Sequence, residues 1–140
     1  MKVLYSTQAT AIGGRSGWVG SVDGTLRVKL AKPKGLGGPG GAGGNPEHLF
    51  AAAYAASFLD ALTTAAGETG QTLTDDANVT ATVKVGHRGE GPGLALSVAL
   101  SLDLPNLERP VAEALAERAH ALCPYSRALR ETMEVKTSVA

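Results

Sequence analysis

The sequence of 140 residues contains a single cysteine, Cys123, and this scarcity excludes several classes of protein. One cysteine cannot form an intrachain disulfide, a CxxC redox pair or a thiolate zinc site. A disulfide-stabilised domain is therefore excluded, and any cysteine chemistry must use one thiol or borrow another.

The sequence also lacks net charge, because thirteen Lys and Arg residues balance thirteen Asp and Glu residues. Without an excess of positive charge, the sequence offers no broad basic surface that would bind a phosphate backbone or an anionic membrane. The amino terminus turns polar too early for a signal peptide, and no apolar run approaches the length needed to span a bilayer. We expect a cytoplasmic protein that binds neither nucleic acid nor membranes.

The remaining composition is that of a globular protein, with 44% hydrophobic and 19% charged residues. A chain of this length builds one core, so we predict a single domain over residues 1–140. Its apolar-rich surface and lack of net charge also favour self-association.

The order of the predicted elements is strands, helix, strands, helix, strand, which indicates an α+β fold. Residues 2–31 alternate in hydropathy between two glycine-containing turns, as two or three antiparallel strands would. Residues 77–89 and 93–105 are predicted to form a two-stranded hairpin. A helix over 106–122, a helical turn over 124–129 and a final strand over 131–139 are predicted to follow it.

The strongest helix signal covers residues 45–67. Asn45 suits the N-cap, Pro46 the first helical position and Gly67 the end. The helix is apolar almost all round, which is typical of the centre of a domain or a dimer. The preceding residues, 32–44, contain seven glycines and two prolines and are predicted to form an irregular loop over a site or an interface.

Cys123 is the first candidate for chemistry. It precedes Pro124 and suits the start of a new helical turn, where N–H groups favour a thiolate. His120, three residues earlier, admits a cysteine–histidine pair. The alternative is that Cys123 is a small buried hydrophobic residue, and the sequence pattern alone leaves both interpretations open.

Three polar residues are further candidates. Arg15 lies in a GGRSG turn. Its guanidinium either forms two hydrogen bonds to a ligand, such as a carboxylate or a peroxide oxygen, or is an ordinary solvated side chain. Glu47 either favours the helix N-terminus or pairs with Arg15. Ser57 shares a helix face with Phe50 and Tyr54, or bonds to its own backbone, and no GxSxG elbow supports a serine hydrolase.

Three blocks of sequence carry a resemblance to a known family: GGRSG at 13–17, GGPGGAGGNPEHLFAAAYAASF at 37–58 and AHALCPYS at 119–126. In this order they resemble the organic hydroperoxide resistance proteins of the OsmC/Ohr superfamily. The resemblance implies antiparallel sheets wrapped around long central helices in an intertwined homodimer. It also implies a thiol peroxidase that reduces organic hydroperoxides with a lipoylated protein or dihydrolipoamide, without any metal or other cofactor.

The family pattern assigns expected roles to individual residues. Its reactive cysteine lies in a YAAC sequence that here ends in Ser57, so serine occupies the position of the peroxidatic cysteine. Cys123 matches the resolving cysteine, Arg15 the arginine that stabilises the thiolate and positions the peroxide, and Glu47 the partner of that arginine. The expected substrate-binding side chains, all apolar or aromatic, are Leu36, Phe50, Tyr54 and Tyr125.

Serine at position 57 has a direct chemical consequence, because its hydroxyl is not appreciably ionised at neutral pH and does not usefully attack a peroxide. We therefore expect a poor peroxidase. One explanation, favoured by the intact Arg15, Glu47 and CPYS block, is a laboratory cysteine-to-serine replacement that disables the enzyme. The other is a natural binding or sensing protein for hydroperoxides or fatty-acyl ligands, and a hydrolase or transferase based on Cys123 has the least support.

Overall fold

The computed structural model describes all 140 residues. The chain divides into two compact units, Met1–Leu49 and Phe50–Ala140. The single domain expected over residues 1–140 stays a prediction.

The first unit contains an antiparallel sheet with the strand order β1-β2-β3, formed by Ala9–Ile12, Trp18–Ser21 and Arg27–Lys29. The expected antiparallel strands are therefore confirmed. The prediction is wrong for residues 2–8, which form no strand. The pairing of β1 with β2 ends at Ala9 and Ser21, and one further bond, from the N–H of Val22 to the carbonyl of Gln8 at 2.9 Å, follows it.

The glycine-rich segment of the first unit is irregular, as its composition predicts. It contains one short 3₁₀ turn, Lys34–Leu36, and Gly44 returns to bridge Leu30. Whether this loop covers a site or an interface stays a prediction.

Helix α1 covers Pro46–Glu68. Its start is as expected, since the backbone N–H of His48 donates to Oδ1 of Asn45 at 2.8 Å. Its end is not at Gly67, which lies within the helix.

The chain leaves α1 through a Schellman motif centred on Gly70. The N–H of Gln71 donates to the carbonyl of Ala66 at 2.9 Å, and the N–H of Gly70 donates to the carbonyl of Gly67 at 3.3 Å. Gly70 takes a φ of 73°, a left-handed conformation that glycine adopts readily.

The second unit contains a mixed sheet with the order β4-β5-β6, formed by Asn78–His87, Leu94–Asp103 and Val135–Val139. Strands β4 and β5 form the expected antiparallel hairpin. Strand β6 departs from the expected antiparallel arrangement, because it runs parallel to β5. Helices α2, Arg109–Leu122, and α3, Pro124–Leu129, occupy the connection that a parallel pair requires.

Two element boundaries differ from the sequence prediction by three or more residues. Helix α2 begins at Arg109 rather than at residue 106, after a turn in which Leu107 N–H donates to Leu104. Strand β6 begins at Val135 rather than at residue 131, because the N–H groups of Thr132 and Met133 both bond to Leu129 in a turn after α3.

The core of the second unit forms where α1, α2 and β5 pack together. Alternate residues of β5 point inward, as expected for a strand with one buried face. The fully or nearly fully buried apolar side chains include Tyr54, Phe58, Leu62, Ala65, Val98, Leu100, Leu102, Ala112, Leu115 and Ala119.

Helix α1 is long and apolar enough, by length and composition, to cross a membrane. The expectation that no apolar run reaches this length is therefore wrong. The core helix of a soluble protein satisfies the same criterion, and one face of α1 is buried in the second unit's core. The absence of a membrane partner stays a prediction.

The end of α1 provides a test of the Schellman motif. Gly70→Ala should lower the free energy of unfolding by about 1 kcal/mol, because alanine is strained at positive φ. The added Cβ would meet no atom within 4 Å, so strain is the only new term. Urea denaturation measures the difference.

Gly67→Ala is the matched control, since its Cβ also meets nothing within 4 Å and its φ is not positive. This substitution should raise the free energy of unfolding by up to about 1 kcal/mol through helix propensity. Equal effects of the two substitutions would contradict the assignment of the helix end to Gly70.

Candidate active site

The second unit brings Ser57 of α1 to the lone thiol of the chain. Ser57 Oγ lies 3.5 Å from Cys123 Sγ, within hydrogen-bond distance for sulfur. Ser57 is half-buried, and Cys123 is fully buried. The interpretation that Ser57 bonds to its own helix backbone is therefore wrong, because its hydroxyl contacts the thiol instead.

Cys123 occupies the corner at which α2 ends and α3 begins. Its N–H donates to the carbonyl of Ala119 at 2.8 Å, and its carbonyl accepts from the N–H of Arg127 at 3.0 Å. Pro124 cannot continue α2, because it has no N–H and disfavours helical geometry at the residue before it. The sequence thus makes a helix break at the position of the thiol.

The first unit contains an ion pair between Arg15 and Glu47. The two guanidinium nitrogens donate to the two carboxylate oxygens at 2.7 Å each. Gly13 and Gly14, with φ of 79° and 57°, shape the turn that carries Arg15. The hydrogen bonds from Arg15 outweigh burial and lower the pKa of Glu47. The carboxylate therefore stays ionised and fixes the guanidinium, and the roles of both residues in catalysis stay predictions.

Three of the four expected substrate-binding side chains form an aromatic group in the second unit. The rings of Phe50 and Tyr54 meet edge to face at 6.3 Å, and Tyr54 stacks with Tyr125 at 6.0 Å. Tyr54 is fully buried, whereas Tyr125 is 38% exposed. Leu36 belongs to the first unit, where it ends a short 3₁₀ turn and is half-buried.

A buried chain of hydrogen bonds, absent from the features predicted from the sequence, lies beside the thiol. Tyr54 OH lies 2.7 Å from Ser126 Oγ, and Ser126 Oγ lies 2.8 Å from His120 Nδ1. His120 Nε2 lies 2.8 Å from Thr137 Oγ1. The hypothesised pair of His120 with Cys123 is therefore wrong, since both ring nitrogens bond elsewhere. The even spacing of His120, Cys123 and Ser126 was the available signal.

The surroundings of Tyr54 shift the pKa of its hydroxyl. Burial is the main cause that raises the pKa of Tyr54, against the opposing effect of its hydrogen bond with Ser126. The structure contains no group of three or more His, Cys, Asp or Glu side chains placed to hold a metal ion.

The fold and these contacts define an α+β protein in which a long helix presents one residue to a buried thiol at a helix corner. Residues 38–138 match the family model described as OsmC-like protein. The chain is 40% identical to the organic hydroperoxide resistance protein of Xanthomonas axonopodis pv. citri, over 99% of this chain and 96% of that one.

Solved structures agree with this match. An organic hydroperoxide resistance protein from Legionella pneumophila has a TM-score of 0.91 and 45% identity, covering 99% of each chain. The protein OhrB of Bacillus subtilis has a TM-score of 0.88 and 34% identity, covering 99% of this chain and 100% of that one. The chain belongs to the OsmC/Ohr family, in its Ohr subfamily. The resemblance found in the three sequence blocks and the expected α+β fold are confirmed.

The environment of His120 generates a pH dependence of stability. Burial and the charge of Arg130 lower its pKa from 6.5, against an opposing effect of Glu117. Below about pH 6.5 the unfolded chain therefore binds a proton at this residue more readily than the folded protein does. The free energy of unfolding should fall as pH drops from about 6.5 toward the folded pKa.

Urea denaturation between about pH 8 and about pH 5 measures this slope. The variant His120→Asn has no titrating group at this position and should lose that part of the slope. An unchanged slope in the variant would contradict the assignment to His120.

Proposed function

We propose that this protein carries the active site of a thiol-dependent peroxidase for organic hydroperoxides, with Ser57 at the position of the attacking thiol. The observation that carries the proposal is the 3.5 Å contact between Ser57 Oγ and Cys123 Sγ. A sulfur at position 57 would need only a small shift to reach the disulfide length of about 2.05 Å. The names of the relatives, organic hydroperoxide resistance proteins, support the substrate class.

The chemistry that this pair supports begins with a cysteine at position 57. Its thiolate attacks the outer oxygen of the hydroperoxide, the O–O bond breaks, and the departing alkoxide takes a proton to become an alcohol. The sulfur is then a sulfenic acid, which the Cys123 thiol attacks with loss of water to give a disulfide. A lipoyl-type dithiol reduces this disulfide by exchange and becomes a cyclic disulfide itself.

The ion pair of Arg15 and Glu47 supplies a charged group suited to this reaction. Its two hydrogen bonds hold the guanidinium in one orientation, which reduces the reorganisation needed when negative charge develops on a thiolate or an alkoxide. In the proposed reaction Arg15 stabilises that charge and positions the peroxide, while Glu47 orients Arg15.

The aromatic group of Phe50, Tyr54 and Tyr125 supports an organic substrate. The partly exposed ring of Tyr125 stacks on the fully buried ring of Tyr54, so the two rings form an apolar surface that a ligand can reach from the solvent. Together with Leu36, these side chains are proposed to hold the alkyl part of the hydroperoxide.

In the chain with serine at position 57, the same site is proposed to bind hydroperoxides without turnover. A serine hydroxyl keeps the contact with Cys123 but does not supply the nucleophile. Ser57 itself therefore favours the second candidate function, a non-catalytic binding or sensing protein for hydroperoxides or fatty-acyl ligands. The two functions predict different results for Ser57→Cys: a disabled peroxidase regains hydroperoxide turnover, whereas a binding protein does not.

The proposal includes a homodimer in the cytoplasm. The first unit buries only Leu30 among its large hydrophobic residues. Its exposed ones, which a second copy could cover, are Met1, Val3, Leu4, Tyr5, Ile12, Trp18, Val22 and Leu26. A lone thiol suits a reducing compartment.

The decisive experiment compares the chain with its Ser57→Cys variant in the reduction of an alkyl hydroperoxide by dihydrolipoamide. We expect steady-state turnover in the variant and none in the chain with serine, because only a thiolate attacks the peroxide and can be regenerated. Loss of hydroperoxide and appearance of lipoamide disulfide measure both sides of the reaction.

The control is Ser57→Cys combined with Cys123→Ser, which should stop at a sulfenic acid that dimedone traps. Folded Ser57→Cys protein without hydroperoxide loss would reject the peroxidase. Tight hydroperoxide binding in that case would favour the binding protein.

The aromatic group predicts a preference among substrates. In the Ser57→Cys variant, kcat/KM should rise with alkyl length and exceed that for hydrogen peroxide, since each buried CH₂ contributes about 0.8 kcal/mol, or up to about fourfold. Tyr125→Ala should weaken this dependence by removing the partly exposed ring, and Tyr125→Phe should retain it. The same kcat/KM for hydrogen peroxide and long-chain hydroperoxides would rule out the apolar subsite.

A further inference from the structure

The contacts between α1 and the corner of α2 and α3 form two rungs. The first rung is the hydrogen bond between Tyr54 OH and Ser126 Oγ at 2.7 Å, and the second is the contact of Ser57 Oγ with Cys123 Sγ at 3.5 Å. The two rungs are three positions apart on each side, since Ser57 follows Tyr54 by three positions and Cys123 precedes Ser126 by three. The first rung therefore constrains the position of the thiol in the second.

His120 braces the first rung from the other side of the corner. Its Nδ1 lies 2.8 Å from Ser126 Oγ, so a single hydrogen bond spans the helix break that carries Cys123. Its Nε2 lies 2.8 Å from Thr137 Oγ1 on β6, which anchors the ring to the sheet. The ring also packs against Phe58 with centroids 4.7 Å apart.

One arrangement of protons satisfies the whole chain. Tyr54 O–H donates to Ser126, and Ser126 O–H donates to Nδ1 of His120. On the other side of the ring, Nε2–H of His120 donates to Thr137, and the Thr137 hydroxyl donates to the carbonyl of Val135 at 3.5 Å. The reverse direction leaves the buried Tyr54 proton without an acceptor among the hydrogen bonds present, which is costly. His120 is therefore neutral, and its Nδ1 is the acceptor that orients Ser126.

We infer that His120, acting through Ser126 and Tyr54, is a positioning residue that holds Cys123 Sγ opposite position 57 and favours closure of a disulfide between the two positions. This inference deepens the proposed function and rests on it. His120 does not contact the thiol, and its effect passes through the first rung alone. The contact with Thr137 anchors the ring but does not itself orient Ser126.

The test measures disulfide closure without any peroxide. In the Ser57→Cys protein, lipoamide disulfide accepts two electrons and two protons from the thiols at positions 57 and 123 and becomes dihydrolipoamide. The ratio of oxidised to reduced protein across mixtures of the two reagents gives the equilibrium constant. Peroxidase activity is not required for this readout.

Two substitutions of His120 in that background separate positioning from packing. The amide of asparagine lies near the Nδ1 position and can keep the bond to Ser126, whereas the amide of glutamine reaches the Nε2 position and can keep only Thr137. Each variant loses one buried hydrogen bond, so their urea stabilities should be similar. We expect His120→Gln to weaken disulfide closure about fivefold to tenfold, the worth of one hydrogen bond, and His120→Asn to retain it.

A second pair of variants covers the case in which neither His120 variant folds. Tyr54→Phe removes the first rung, and Thr137→Val removes the anchor at the opposite end of the chain. Closure should weaken in Tyr54→Phe and not in Thr137→Val. Equal equilibrium constants within either pair, or no disulfide in the Ser57→Cys protein at any ratio of the reagents, would overturn the inference.

The outcomes also separate this inference from the proposed function. Disulfide closure that depends on His120 without hydroperoxide reduction would reject the peroxidase and retain the positioning role. Hydroperoxide reduction together with disulfide closure that does not change on substitution of His120 would retain the peroxidase and reject the positioning role.

Discussion

The buried hydrogen-bond chain from Tyr54 to Thr137 is the constraint on which the second unit depends. Its members come from α1, α3, α2 and β6, and three of them, Tyr54, His120 and Ser126, are at most 2% exposed. A buried polar group without a partner costs about 1–3 kcal/mol, so each of these elements must meet the others in one arrangement. Apolar packing alone would allow α3 more freedom, because a single short helix buries little surface.

The same chain explains why the thiol lies where a helix breaks. Pro124 ends α2 and turns the chain, but a helix break by itself leaves the direction of α3 open. The bond from His120 to Ser126 closes that corner, and the parallel strand β6 supplies Thr137 as a fixed point behind it. The parallel pairing of β6 with β5 thus places Thr137 where it anchors the His120 ring.

The parts of the structure with strong local signals could be predicted from the sequence. The N-cap of α1 at Asn45 and the alternation of β4 and β5 depend on neighbouring residues, and the structure has both. The parallel direction of β6 and the bonds of Tyr54 to Ser126 and of His120 to Thr137 depend on contacts between residues far apart in sequence, which no local pattern specifies. Cys123 and Ser126 both follow His120 within six residues, and the sequence alone does not tell which of the two the ring contacts.

Serine at position 57 separates the architecture of the site from its chemistry. Oxygen and sulfur differ little in the shape of the side chain, and the serine hydroxyl still contacts Cys123 at 3.5 Å. Nothing in the first rung, in the helix corner or in the pair of Arg15 and Glu47 requires a sulfur at this position. What the oxygen cannot do is ionise near neutral pH and store two electrons reversibly in a disulfide. The fold therefore builds the site independently of the proposed reaction, and in that proposal one atom decides whether the reaction occurs.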